Sequence, residues 1–302
     1  MDVLFNKPLF CGADPFLLSF NGKYYLYCTT QSDEISNQTF TTATNDTDGF
    51  MVWESINLVN WENKGYCLKK GEKVIGEKWF WAPEVTYKDG KFYMVYAAEE
   101  HMAVAVADSP LGPFYQTEQK WLREGKSIDG HILIDDDGTA YLYYVRLGGG
   151  NRIFAARLSS DLLSIEEEYE NCLIEAESAW ETIDCKVAEG PFVLKHKGLY
   201  YLTYSCNHTR CKDYAVGYAV SDCPTGPFKR YDNNPILCKG GGLCGVGHHS
   251  FCMSTDGKQL LCAYHCHSDR PDSYKPRRFC LAKAEFKENE KQDILKIYGP
   301  ED

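Results

Sequence analysis

At 302 residues, 44% hydrophobic and 25% charged, the chain has the composition of a globular protein with a sizeable core, in one large domain or two small ones. A formal net charge of −11 speaks against a nucleic-acid partner, which needs a basic footprint, and no apolar run is long enough to span a membrane. Residues 1–8 show no basic segment followed by an apolar one, and the 14 Cys are scattered, so a cytoplasmic protein with reduced thiols is expected.

In chain order, five glycines each open a short aromatic or aliphatic run. They are Gly22, Gly90, Gly138, Gly198 and Gly257, spaced 68, 48, 60 and 59 residues apart. The residues before each Gly read as a strand and those after it as the hairpin partner. Lys88-Asp89-Gly90 and Asp135-Asp136-Asp137-Gly138 supply residues that tolerate positive φ in a tight turn, so the three aspartates are read as a solvated turn and not a metal site. A 14% aromatic content, with 21 Tyr, suits strands. A second repeat follows the third strand of two units: Ala107–Phe114 and Val220–Phe228 are the same turn, and Val52–Trp61 resembles it.

No long amphipathic helix pattern intervenes, so the fold predicted is all-β, a single-domain five-bladed β-propeller over residues 1–302. Approximate blades are 11–65, 79–120, 128–172, 187–235 and 246–290. The stretch 31–50 is the candidate for a long loop. The first ten residues are the candidate strand for closing the ring on the fifth, least regular copy.

Six to nine residues before the glycines stand Asp14, Glu84, Asp129, Glu189 and His248. The first strands of the blades line the axis in the same direction, so residues at matching positions converge at one end of the channel. Glu84 is out of step. Carboxylates gathered in one buried ring shift their pKa values apart, which is what glycosidic cleavage requires: one protonated acid and one ionised base.

The strings Gly12-Ala13-Asp14-Pro15-Phe16, Trp81-Ala82-Pro83-Glu84-Val85, Ile128-Asp129-Gly130-His131, Glu189-Gly190-Pro191-Phe192 and Gly245-Val246-Gly247-His248 come one per blade. In this order they resemble the family 43 glycoside hydrolases over nearly the whole chain. The resemblance implies an inverting mechanism with Asp14 as general base, Glu189 as general acid and Asp129 raising and orienting that acid. It implies that His248 lies deep in the channel near a water or a metal ion, and that Arg277, in preference to Arg278, binds sugar hydroxyls. It requires no cofactor and admits a structural calcium in the channel, although calcium prefers oxygen ligands to histidine.

One of Trp79, Phe80 and Trp81 is expected to stack on a sugar ring, Trp81 being the one best explained as core packing. His131, two residues after Asp129, is expected on the same strand face, bonding a substrate hydroxyl or supporting Asp129. The substrate implied is a plant-derived oligosaccharide bearing a terminal α-L-arabinofuranosyl or β-D-xylosyl unit. Rival readings are a phosphorolytic enzyme with Lys275, Arg277 and Arg278 as a phosphate cradle, and a sugar-binding propeller without catalysis. Zinc at Cys244/His248/His249/Cys252, at Cys206/His208/Cys211 or at Cys262/His265/Cys266/His267 lacks the paired C-x-x-C spacing of a structural site.

Overall fold

A computed structural model describes residues 3–29, 48–71, 73–267 and 276–301. Most of the loop expected at 31–50, and Lys275, lie outside the described residues. Five antiparallel sheets follow one another along the chain as the blades of a β-propeller. The first is β1 (Ala13–Phe20), β2 (Lys23–Thr29), β3 (Gly49–Ser55) and β4 (Glu62–Lys69). The second has three strands, β5 (Trp81–Lys88), β6 (Lys91–Ala98) and β7 (His101–Ala107). The third runs from β8 (Ser127–Ile134) through β9 (Ala140–Arg146) and β10 (Arg152–Leu158) to β11 (Ile165–Glu175). A 3-10 turn, Ala179–Glu181, leads to the fourth: β12 (Ala188–His196), β13 (Leu199–Cys206), β14 (Ala215–Ser221) and β15 (Lys229–Arg230).

The fifth comprises β16 (Gly247–Met253), β17 (Leu260–Cys266), β18 (Arg278–Lys287) and β19 (Ile294–Tyr298), so it runs past residue 290 to a fourth strand. The ring closes on β18 from both chain ends. β19 pairs with Lys283–Lys287, while the N-terminal segment covers the rest of that edge. There Asn6 N–H donates to Leu281 O, Leu9 N–H to Phe279 O and Gly12 N–H to Arg277 O, at 2.7, 2.9 and 3.0 Å.

Each repeat glycine ends the turn between the first two strands of its blade at positive φ, from 71° at Gly257 to 86° at Gly138, a region glycine enters without strain. The aromatic runs after them are the second strands, sandwiched between neighbouring blades and buried on both faces. A tyrosine buried there must still satisfy its hydroxyl. Tyr27 and Tyr143, each five residues past its Gly, donate to Pro110 O (2.6 Å) and Pro224 O (2.8 Å) in the two copies of the second repeat. The two repeats thus staple blade one to blade two and blade three to blade four.

Candidate active site

Every first strand carries a β-bulge at the same place, where its register with the second strand slips. The first bulged residue has positive φ in all five: Asp14 (51°), Ala82 (44°), Asp129 (57°), Gly190 (55°) and His248 (42°). Asp, His and Gly are among the residues that accept this region most readily. A bulged residue leaves the ladder, so the lack of an N–H costs little at the next position, and Pro15, Pro83 and Pro191 stand there.

The bulge sorts the ring into three layers. Trp81, Ile128 and Glu189 stand just before it, Asp14, Asp129 and His248 at it, and Glu84 and His131 two residues later. The first two layers line one cavity of about 300 Å³, with Glu100, Leu147, Asn151, His208, Thr209, Arg210 and Arg277. That volume is at the lower end of small-ligand sites, roughly 300–1,000 Å³. Glu189 is therefore one position off Asp14, Asp129 and His248, which match fully, and Glu84 belongs to a deeper layer.

Asp14 is buried, with both oxygens engaged. Arg277 Nη1 donates to Oδ1 at 2.6 Å and Thr29 Oγ1 to Oδ2 at 2.7 Å. Thr29 Oγ1 in turn accepts the N–H of Ala82 at 2.8 Å, which leaves its own proton for Asp14. His248 Nδ1 lies 3.2 Å from Oδ1, and His265 Nδ1 accepts the Asp14 N–H at 3.2 Å. Burial alone would push the Asp14 carboxyl up, but Arg277 and then His248 outweigh it and hold the group well below the usual carboxylate range. Burial and Arg277 lower His248 against the pull of Asp14. Burial takes His265 down to about 3, so it is neutral.

Glu189 meets the opposite environment. Tyr214 Oη donates to Oε1 at 2.9 Å and Asn151 Nδ2 to Oε2 at 3.1 Å. Asn151 reaches it because Gly150 (φ 103°) lets the backbone pass close to Lys186, where a Cβ would meet Lys186 O at 2.6 Å. Burial raises Glu189 to about 7 against those two hydrogen bonds, with Asp14 adding to the rise. Asp129 Oδ2 accepts the Gly190 N–H at 3.0 Å. Burial and then the charges of Glu189 and Asp14 push it well above the usual range. The cavity therefore holds one carboxylate kept ionised and a pair reluctant to lose its proton.

Several sequence expectations need correction. Phe80 is wholly buried in the core against Phe50 and Tyr96 and cannot meet a sugar. Trp81, expected to be core packing, lines the cavity instead, and Trp79 stacks behind it with ring centroids 6.1 Å apart and planes 11° apart. His131 reaches neither the cavity nor Asp129, because the bulge between Ile128 and His131 breaks the alternation of faces. Its Nδ1 lies 2.7 Å from Glu84 Oε2, and its ring packs 4.1 Å from that of Phe192. Arg277 faces the cavity, whereas Arg278 turns outward and donates to Leu9 O at 2.8 Å, so the two form no cradle.

The cysteine and histidine clusters also disperse. His248 turns to Asp14, His249 Nε2 to Thr203 Oγ1 (2.6 Å), His267 Nε2 to Thr209 O (2.9 Å), and Cys266 Sγ to Cys280 Sγ (3.5 Å). Among the described residues no group of three or more His, Cys, Asp or Glu could hold a metal ion. The buried polar atoms left unpartnered around the channel include His131 Nε2, His249 Nδ1 and His265 Nε2, all nitrogens. That set does not fit calcium, which takes oxygen.

Sequence reasoning missed Asn151 and Tyr214, the partners of Glu189, and Thr29, Thr209 and His265 around Asp14 and Arg277. Of these only His265 carried a signal, as a member of a cluster set aside for lacking the spacing of a structural zinc site.

Comparison with known proteins gives a consistent picture. The family model described as Glycosyl hydrolases family 43 matches residues 7–291. An endo-1,4-β-xylanase structure from Bacteroides thetaiotaomicron superposes with a TM-score of 0.85 at 39% identity, covering 99% of this chain and 97% of that one. A β-D-galactofuranosidase of Aspergillus niger is 26% identical over 312 residues, 97% of this chain and 84% of its own. Xylosidase/arabinosidase 43A of Humicola insolens is 29% identical over 258 residues, 72% of this chain and 77% of its own.

Proposed function

The chain belongs to glycosyl hydrolase family 43, and from that membership we propose an inverting hydrolase that removes terminal α-L-arabinofuranosyl or β-D-xylosyl units from plant-derived oligosaccharides. Relatives named xylosidase/arabinosidase and β-xylosidase support the pentose. The observation that carries the mechanism is the opposed environments of Asp14 and Glu189 on one cavity, the first held ionised and the second raised to about 7.

In this reading Asp14 takes a proton from a water that attacks the anomeric carbon. Glu189 gives its proton to the glycosidic oxygen as the C–O bond breaks, the bonding pair leaving with that oxygen. Asp129 keeps the acid protonated by repulsion, and its bond to Gly190 N–H anchors it one residue from Glu189. Arg277 holds Asp14 in place on the cavity wall, where sugar hydroxyls come within its reach. Trp81 offers the apolar face against which a sugar ring stacks.

The test is a screen of the full chain against nitrophenyl α-L-arabinofuranoside, β-D-xyloside, β-D-galactofuranoside and pyranosidic hexosides, with proton NMR of the first anomer released. Pentoside turnover with inversion is expected. Retention of configuration, or turnover confined to hexosides, would overturn the reading.

A further inference from the structure

Glu189 Oε1 is met by a buried phenol: Tyr214 Oη donates to it at 2.9 Å. Tyr214 is wholly buried, so solvent does not compete for this bond, and a buried hydroxyl directs its proton to the acceptor at hand. The Tyr214 ring is clamped as well. Its edge rests on Gly247, where a Cβ would meet a ring carbon at 2.5 Å, and its face stacks on His265 with planes 3° apart.

The bond runs one way, from the Tyr214 O–H to Glu189 Oε1. The other oxygen, Oε2, is next to Asn151, a residue of the cavity wall, whereas Tyr214 lies behind that wall. We infer that Tyr214 is a positioning residue that reserves Oε1 as an acceptor and so fixes the acidic proton of Glu189 on Oε2, the cavity side. A protonated Oε2 can still accept from Asn151 while its O–H points at the leaving oxygen. When that proton departs, the charge left on the carboxylate is met by the Tyr214 O–H, which keeps its own proton. Burial, with Glu189, Asp14 and Asp129 nearby, pushes the Tyr214 phenol well above its ordinary range, in keeping with a permanent donor. The inference rests on Glu189 being the general acid. The other groups acting on Glu189 are Asp14, Asp129, Arg277, Cys185 and Cys206, and the substitutions below leave them in place.

The test compares Tyr214→Phe with Gly247→Ala, whose added Cβ displaces the Tyr214 ring, in the full chain, on methyl and 2,4-dinitrophenyl glycosides of the pentose released fastest in the screen. Tyr214→Phe should lower kcat on the methyl glycoside roughly tenfold, a part of the ~10²–10⁴-fold that general-acid catalysis supplies. It should spare the dinitrophenyl glycoside, which needs no protonation, and move the alkaline limb of kcat/KM to higher pH. Gly247→Ala should shift both readouts the same way, because it moves the Tyr214 hydroxyl off Oε1. An unmoved alkaline limb or equal losses on both substrates would each overturn the inference. If Tyr214→Phe fails to fold, Gly247→Ala decides by the same two readouts. The acid assignment is judged separately: a Glu189→Ala variant that loses the dinitrophenyl substrate as completely as the methyl one would sink that reading whatever Tyr214 does.

Discussion

Arg277 Nη1 stands 2.6 Å from Oδ1 of Asp14, a contact between residues 263 positions apart that couples the last blade to the first. It joins a guanidinium from the edge of β18 to the carboxylate on the bulge of β1, and both are largely withdrawn from water. A buried ion pair is strongly penalised when one partner is removed.

Arg277→Ala should therefore cost about 3 kcal/mol of stability at neutral pH. In the wild type the depressed Asp14 pKa contributes stability that is present above the ordinary carboxylate value and is lost as pH falls through the lower folded value. The variant should lose that contribution and shift the acidic limb of kcat/KM to higher pH. Thermal melting and a pH–rate profile read the two effects.

Glu189→Gln should abolish hydrolysis of unactivated glycosides and yet stabilise the protein. Because the folded pKa is raised to about 7, the native state binds more protons than the unfolded chain between the ordinary Glu value and 7. Stability therefore falls as pH rises across that window. The neutral amide removes this loss, and melting at pH 8 should show a gain on the order of 1–3 kcal/mol that vanishes near pH 4.

Asp129→Asn should leave Asp14 and the acidic limb in place while moving the alkaline limb to lower pH, by about one unit. The acid then titrates alone, without a second carboxyl repelling its ionised form. The pH–rate profile measures it directly.

Trp81→Ala and Phe80→Ala are neighbours in sequence with opposite expected outcomes. The first should raise KM several-fold at little cost to melting, since its ring faces the cavity. The second should cost about 3–5 kcal/mol, the usual loss for a buried Phe, and leave KM unchanged at temperatures where the protein stays folded.

The propeller was legible because its repeat rests on local chemistry. A glycine ends each tight turn, and an aromatic strand is buried on both faces, so each of Gly22, Gly90, Gly138, Gly198 and Gly257 marks a hairpin without reference to its neighbours. The acids were legible for the same reason, since each sits at the bulge of its own strand or one residue before it. Their order of depth was not. Alternation of faces put His131 beside Asp129, but the bulge inserts a residue and sends His131 down to Glu84. Nor could local pattern choose among Trp79, Phe80 and Trp81, since what buries Phe80 is its packing on Phe50 and Tyr96, both distant in sequence.

By itself the sequence determined the number of blades, the strand carrying each acid, and the kind of reaction those acids suit. Only the tertiary structure decided which carboxyl is charged. Arg277, Thr29 and His248 reach Asp14 from elsewhere in the chain, and Tyr214 and Asn151 reach Glu189. A pKa is set by what surrounds a group in space, and spacing along the chain carries no record of that.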